Sequence, residues 1–301
     1  MRTAMDNTQP TEDVSYISFY AKQWEECACS SPLKKSQIQT PDKWCRFYDH
    51  VSDIWDVMTG LSGRIAKESA DVIESLGLVA EGGSVIDIGC GPGSLALALR
   101  KKGLEITAID NSKGMIRVLR KAIADEDITG INAVWMDWKK YIPLEKFDLS
   151  VASFFPDAFS PEGLQQMETL SDKRCLLILG GGDVFPIRRE IWKKVMEEPC
   201  PAGIHHATWV ENYLRLKLRH PRIHHRSTPV HAVMDMETVM AFYLNYFSIF
   251  EIDASCVTDA VKEVTAPYMS GEIIHLDGML NLVFIYWEPH RAERRKPGNN
   301  P

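Results

Sequence analysis

Asp87, Gly89, Cys90, Gly91, Gly93 and, further along, Asp110 are the residues of this chain whose types and spacing could do chemistry. Glycines at alternate positions let a backbone bend sharply and approach a bound molecule with no side chain in the way. A helix starting directly afterwards, from Leu95, would add unpaired N–H groups and the positive end of its dipole. Pro92 suits a first helical turn, where a missing N–H costs nothing. Asp110 stands about 20 residues beyond the turn, the position from which a carboxylate accepts hydrogen bonds from ribose hydroxyls. A backbone cradle followed by such an acid predicts a site that holds a nucleoside-containing ligand. For the glycines alone, a tight turn with no ligand is the other reading.

Strands must deliver these residues and helices must receive the chain. Val85 and Ile86 form a short apolar run suited to a parallel strand buried on both faces, and Leu95 to Leu99 leave the turn as a helix that Gly103 closes. A second strand, Glu105 to Ile109, ends in Asp110, and a third, Ile131 to Trp135, runs into Met136, Asp137 and Trp138. A fourth, Phe147 to Ser153, runs into Phe154, Phe155, Pro156 and Asp157, and a fifth, Cys175 to Leu179, ends in Gly180 to Gly182. This alternation predicts an α/β fold with a doubly wound, mostly parallel sheet, and in such a sheet ligands sit outside the carboxyl ends of the strands. Gly180 to Gly182 read either as backbone held close to something or as a flexible loop end.

A dinucleotide fingerprint would need Gly or Ala at position 94, where Ser94 stands. The G-x-G-x-G spacing, with Asp87 before it, instead resembles motif I of the class I methyltransferases that use S-adenosylmethionine. Asn111-Ser112-Lys113-Gly114-Met115 after Asp110 resembles that family's D-x-S-x-x-M run, and Phe147 to Ser153 resembles its F-D-x-V-x-x-S strand. The resemblance covers residues 60–180 most fully and residues 234–287 more loosely. It implies a seven-stranded Rossmann-like fold and S-adenosyl-L-methionine as cofactor.

Residue by residue, the resemblance implies that Gly89, Cys90, Gly91 and Gly93 wrap the methionine end, with Asp87 holding its amino group through water. Asp110, with Asn111 beside it, would take the ribose, Met115 would lie against adenine, and Asp137 would accept from the adenine amine between Met136 and Trp138. In a doubly wound sheet Ser153, with Phe154, Phe155, Pro156 and Asp157, would stand where the methyl group is delivered. Met115 also shares an apolar stripe with Leu119 and Ile123, so packing explains it as well. Phe154-Phe155-Pro156-Asp157 is not the N/D-P-P-Y-type motif of enzymes that methylate nitrogens of nucleic acids and glutamine, and the chain resembles the small-molecule type.

A length of 301 residues allows two domains or one large α/β domain with insertions. The formal charge of −7 argues against a broad nucleic-acid footprint, and no apolar run approaches the ~18 residues of a membrane span. With no apolar stretch at its start, the chain reads as cytoplasmic, and its 7 scattered cysteines read as reduced thiols. Cys27, Cys29 and Cys45 lack a second ligand pair, so no metal site is predicted.

Around the core, residues 1–60 are expected to be an N-terminal helical lid, with a polar start, an amphipathic helix from Val14 to Trp24 and an aromatic-rich one from Pro41 to Met58. Residues 61–182 would be the cofactor-binding core, beginning with a helix from Arg64 to Leu76. Residues 183–233 would be an insertion between strands five and six that caps the acceptor, with helices at Ile187–Glu197 and Thr208–Leu218. That segment holds His205, His206, His220, His224, His225 and His231 with Arg215, Lys217, Arg219, Arg222 and Arg226. It reads as a solvated face, as a basic mouth for an anionic acceptor, or as a metal site, although no ligand spacing supports the last. Residues 234–288 would complete the sheet, with a helix capped by Asp235, strands at Phe250–Asp253 and Leu280–Trp287, and a loop over 258–279; residues 289–301 would be a mobile tail.

The implied reaction is an in-line displacement at the sulfonium methyl, in which orientation does most of the work. A hydroxyl or ammonium nucleophile would also need a base, for which His205, His206, Asp157 and His50 are the candidates, whereas a thiolate would need none. Two other readings stay open: a non-catalytic S-adenosylmethionine-binding protein, and an NAD-linked oxidoreductase, against which Ser94 and Met136-Asp137-Trp138 argue.

Overall fold

The computed structural model describes residues 14–59, 61–200 and 206–290. Helices α1 (Val14–Ser30), α2 (Pro32–Gln39), α3 (Pro41–Val51), α4 (Trp55–Thr59) and α5 (Ser62–Ser75) precede the sheet. Its first half follows the expected alternation of β1 (Ser84–Ile88), α6 (Ser94–Lys101), β2 (Glu105–Asp110), α7 (Lys113–Asp125), β3 (Ile131–Trp135), β4 (Phe147–Ser153), α8 (Pro161–Leu170) and β5 (Ser171–Gly180). There follow α9 (Ile187–Met196), α10 (His206–Leu216), β6 (Arg222–Asp235), α11 (Met236–Ser248), α12 (Ala254–Thr265), β7 (Met269–Ser270) and β8 (Ile273–Trp287).

The sheet order is β3-β2-β1-β4-β5-β8-β6, with β7 paired to β8. β1 to β5 run parallel, and β8 and β6 close the sheet antiparallel. Val85, Ile86 and Ile88 are inaccessible to solvent, as a central parallel strand requires. One face packs on α5, α6 and α7, the other on α1, α8 and α10. Local caps set the helix starts: Ser112 Oγ accepts from Met115 N at 3.1 Å for α7, Ser160 Oγ from Gly163 N at 3.0 Å for α8, and Asp235 Oδ1 from Thr238 N at 2.7 Å for α11. The strand order reverses between β1 and β4, so the crevice at their carboxyl ends is where a doubly wound sheet binds ligands.

The second half departs from expectation. Phe250–Asp253 is the turn joining α11 to α12, not a strand, and Asp253 caps α12. Residues 258–279 are most of α12 and the start of β8 rather than a loop. The sixth strand is β6, inside the predicted insertion, so the insertion ends near residue 221. An edge strand with one side exposed tolerates His224, His225, Arg226, His231 and even Pro229, and those residues hide its strand pattern.

Gly180 pairs with Leu282, so residues 273–281 of β8 run past the carboxyl end of β5 with β6 alongside. This ribbon extends roughly 30 Å at about 3.3 Å per residue. Its Ala232, Met234, Ile274 and Leu276 pack with α9, α11 and α12, so residues 234–288 build a cap as well as completing the sheet. The single helix expected over Pro41–Met58 breaks after Val51, and the one expected over Val14–Trp24 continues to Ser30. Residues 1–13 and 291–301 lie outside the described residues. No helix among the described residues is long and apolar enough to cross a membrane.

Candidate active site

The glycine turn is built by hydrogen bonds that need no side chain. Gly89 N and Cys90 N both donate to Ile109 O, at 2.8 and 3.1 Å, and Gly93 N donates to Cys90 O at 3.0 Å. Gly89 and Gly93 have φ of +66° and +90°, and a Cβ on either would come within 2.3 Å of Phe155 or Leu119. Gly91, at φ +55°, has nothing within 4 Å of its missing Cβ, so there the turn faces open space.

Two carboxylates border that space. Asp110 Oδ2 accepts from Gly91 N at 3.0 Å and Oδ1 from Ser112 N at 2.8 Å, which pins the carboxylate while leaving lone pairs for ribose hydroxyls. Burial raises the Asp110 pKa, against the pull of those N–H groups. Asp87 is 1% exposed and accepts from Ala96 N in the first turn of α6, yet its Oδ2 has no partner. Burial, and then the charge of Asp110, push its carboxyl up to about 7. An unpartnered buried carboxylate oxygen is costly, and the ammonium of a bound amino acid moiety would satisfy it. The open face at Gly91, the orphaned Asp87 oxygen and the pinned Asp110 fit an adenosyl amino acid.

On the adenine side the residues divide. Trp135, 54% exposed, donates from Nε1 to Asn111 O at 3.0 Å, and Met136 is also exposed. Asp137 caps the short turn Trp138–Lys140, Oδ1 accepting from Lys139 N at 3.1 Å. Trp138 does not flank the crevice as expected: it is buried in the core, its ring edge-on to Phe155 and its Nε1 donating to Asp157 Oδ2 at 3.0 Å. Met115 is buried at 2% exposure, in keeping with the packing reading. Ser153 ends β4, and Cys90 is buried with its thiol pKa raised by that burial.

The N-terminal helices close over this crevice. Asp49 Oδ1 on α3 accepts from Ser112 Oγ at 2.7 Å and from Gly114 N at 2.8 Å, fastening α3 to the start of α7. Ser94 Oγ donates to Asp56 of α4 at 3.2 Å. Trp44 and Phe47 of α3 meet Phe242, Tyr246 and Phe250 around α11, so the N-terminal helices and α11 share one aromatic cluster. Tyr48 sits in that cluster, and burial raises its pKa.

A cavity of about 550 Å³ opens at the carboxyl ends of β4 and β5, bounded by Phe154 and Pro156, by Gly180 and Gly182, and by α1, α2, α9 and α10. Phe154 is held at φ +52°, which a bulky side chain rarely adopts, and its ring lies against Gly180, 3.0 Å from where a Cβ would stand. Gly180 is thus backbone approached closely by a side chain, as is Gly181 by Asn281, whereas Gly182 faces open space. Lys34, Arg188 and Arg189 supply the cavity's cations. Of the cations that one reading of the insertion gathers as a basic mouth, Arg215 pairs with Glu211, Arg219 with Glu168 and Arg226 with Glu68, and none of them lines this cavity.

Of the four candidate bases, His205 lies outside the described residues, and His206 is placed only as the first residue of α10. His50 is exposed on α3 and does not line the cavity. Asp157 follows the cavity-lining Pro156 but is engaged by Trp138 and by Lys139 Nζ at 3.3 Å. His225 lines a second cavity of about 350 Å³ that shares Leu179 and Gly180 with the larger one. Among the described residues no three His, Cys, Asp or Glu side chains gather as a metal-binding group. Lys34, Arg188 and Trp209 were not read as site residues from the sequence, whereas Phe154 and Pro156 line the cavity at the end of β4. The signal that could have found α2 is Pro32 at its first turn, followed by Lys34 and Lys35.

A family model described as a methyltransferase domain matches residues 85–170. No curated protein matches the chain. Among solved structures, YcgJ from Bacillus subtilis is 13% identical with a TM-score of 0.48, over 75% of this chain and 99% of that one. Magnesium protoporphyrin IX methyltransferase from Synechocystis PCC 6803, with bound S-adenosylhomocysteine, is 16% identical with a TM-score of 0.44, over 80% and 92%. Precorrin 8W decarboxylase from Methanobacterium thermoautotrophicum is 12% identical with a TM-score of 0.44, over 73% and 89%. With its glycine turn, its paired acids and this match, the segment spanning residues 85–170 belongs to the class I S-adenosylmethionine-dependent methyltransferase domains, and the chain is an enzyme of that kind.

Proposed function

We propose that the protein transfers the methyl group of S-adenosylmethionine to a small molecule held in the 550 Å³ cavity. The observation that carries this reading is the cavity's place: Phe154 and Pro156 of its wall flank Phe155, whose ring packs on Gly89 of the glycine turn, and its volume suits a drug-sized ligand. When bound, the cofactor supplies a methyl group already activated on a sulfonium. Gly89, Cys90, Gly91 and Gly93 would cradle its amino acid end, Asp87 its ammonium, and Asp110 with Asn111 its ribose. Met136 and Asp137 would border the adenine, Met115 would back it from the core, and Ser153 would mark the delivery point.

The protein's contribution is orientation and exclusion of water. Alignment of nucleophile and methyl can supply roughly 7–11 kcal/mol of barrier reduction. Asp157, next to the cavity-lining Pro156, is the described candidate nearest the acceptor for a nucleophile that needs a base. Calorimetry and labelled methyl transfer to a fractionated metabolite extract test the proposal. Binding of S-adenosylhomocysteine but not NAD, with label appearing in a small molecule, supports it. Cofactor binding without transfer would leave a non-catalytic binding protein, and binding of NAD alone would reject the reading.

A further inference from the structure

The cavity has a chemical character of its own. Its aromatic wall is Trp209 of α10, half-buried and backed by the buried Trp24 of α1, with ring centroids 6.3 Å apart and planes 9° from parallel. Leu33, Phe154 and Phe159 extend the apolar lining. Flat apolar walls of this kind favour a flat apolar occupant.

One cation in that lining lacks a counter-charge. Arg189 Nε lies 2.8 Å from Asp183, and Arg188 lies 3.8 Å from the same carboxylate and hydrogen-bonds Tyr246. Lys34 has no carboxylate within ion-pair distance among the described residues, the carboxylates of the lining being Asp183, which the arginines take, and Glu198. Burial lowers its pKa, opposed by the more distant charge of Asp157. An ammonium partly withdrawn from water with nothing paired to it is costly to keep, and an anion brought by a ligand would remove that cost.

Resting on the proposed function, we propose that the acceptor is a small aromatic molecule carrying an anionic group, stacked against Trp209, which buried Trp24 backs, with that group held by Lys34. Lys34 then sets acceptor specificity, and the anion fixes which edge of the ring faces the loop after β4.

Full-length protein saturated with S-adenosylhomocysteine is titrated with benzoate, indole-3-acetate, their amides and phenyl phosphate, read by calorimetry and by quenching of tryptophan fluorescence. The acids should bind about tenfold or more tighter than the amides, as a charge-assisted hydrogen bond would give. Lys34→Met should bring the acids down to the amides with the affinity for S-adenosylhomocysteine unchanged, and Lys34→Arg should keep the preference. Comparison of benzoate with phenyl phosphate shows whether carboxylate or phosphate is the better anion. Equal binding of acids and amides, or binding of neither, overturns the inference, and the wild type alone decides this if a variant fails to fold. So does a Lys34→Met variant that loses S-adenosylhomocysteine instead, because Lys34 would then be holding the cofactor's own carboxylate. Failure of the wild type to bind S-adenosylhomocysteine would sink the proposed function itself; cofactor binding without a preference for acids sinks the acceptor assignment alone.

Discussion

Asp87 is buried, with Asp110 on the neighbouring strand, and burial first and that charge second give the site a pH dependence. The ordinary carboxyl value for Asp87 is 3.8, and in the folded protein it is pushed up to about 7. The folded state therefore binds this proton more tightly than the unfolded one. Its contribution to stability is greatest below 3.8 and is lost as pH rises through about 7. A bound ammonium favours the carboxylate instead, so affinity for S-adenosylhomocysteine should rise between about pH 5 and 8, with one proton released. Isothermal titration in buffers of different ionisation heat measures that release, and Asp87→Asn should abolish it. Phe154 carries a second prediction at this scale. A left-handed backbone costs an L-residue about 1–2 kcal/mol, and Phe154 is 43% exposed, so Phe154→Gly should leave the melting temperature unchanged or raised. The same change removes a ring from the cavity wall, so acceptor KM should rise while affinity for S-adenosylhomocysteine holds. A drop in stability with unaltered KM would show that the conformation serves packing only.

Helix α3 acts as an element through one carboxylate. Asp49 accepts from a side chain and a backbone N–H at the start of α7, adding negative charge where the helix dipole is positive. A Cβ on Gly114 would lie 2.8 Å from Asp49 O, so the two helices touch at backbone level. Asp49→Ala should cost about 1 kcal/mol of stability, the usual worth of a capping acceptor, and should speed release of S-adenosylhomocysteine by loosening α3 over the crevice. Stopped-flow dissociation reads the second effect. An unchanged off-rate would mean that α3 is held by its aromatic contacts with α11 and that the carboxylate is only a cap.

Across the whole molecule, distant segments are tied to the sheet by polar contacts. Arg219 meets Glu168 in a two-pronged pair, Nε to Oε1 at 2.8 Å and Nη2 to Oε2 at 2.9 Å, and Trp287 Nε1 donates to the same carboxylate at 3.0 Å. This joins the end of the insertion to α8 and β8. Arg219→Ala would strand a largely buried carboxylate and should cost roughly 3–5 kcal/mol, seen as a lower denaturation midpoint. Affinity for S-adenosylhomocysteine should hold in the folded variant, since the pair lies outside the crevice. A midpoint that does not move would show that solvent reaches Glu168 and compensates it.

The amino-acid sequence by itself determined the parallel half of the sheet and the cofactor crevice, because the interactions that make them are local. An apolar run, a glycine turn and a helix start lie within about 20 residues of one another, and Asp110 reaches Gly91 across 19 positions. Ser112 and Asp235 likewise cap the helices that follow them directly. Only the tertiary structure decided the acceptor side. β6 is a strand because β8 pairs with all of it, from Arg222 opposite Tyr286 to Asp235 opposite Ile273, and no periodicity within its own histidines and arginines says so. Charges are legible as charges, but whether they are spent depends on partners brought from afar: Glu168 lies 51 residues from Arg219 and Glu68 lies 158 from Arg226, while Lys34 lines a cavity with no such partner among the described residues. Pairing over such separations is set by how helices and strands pack.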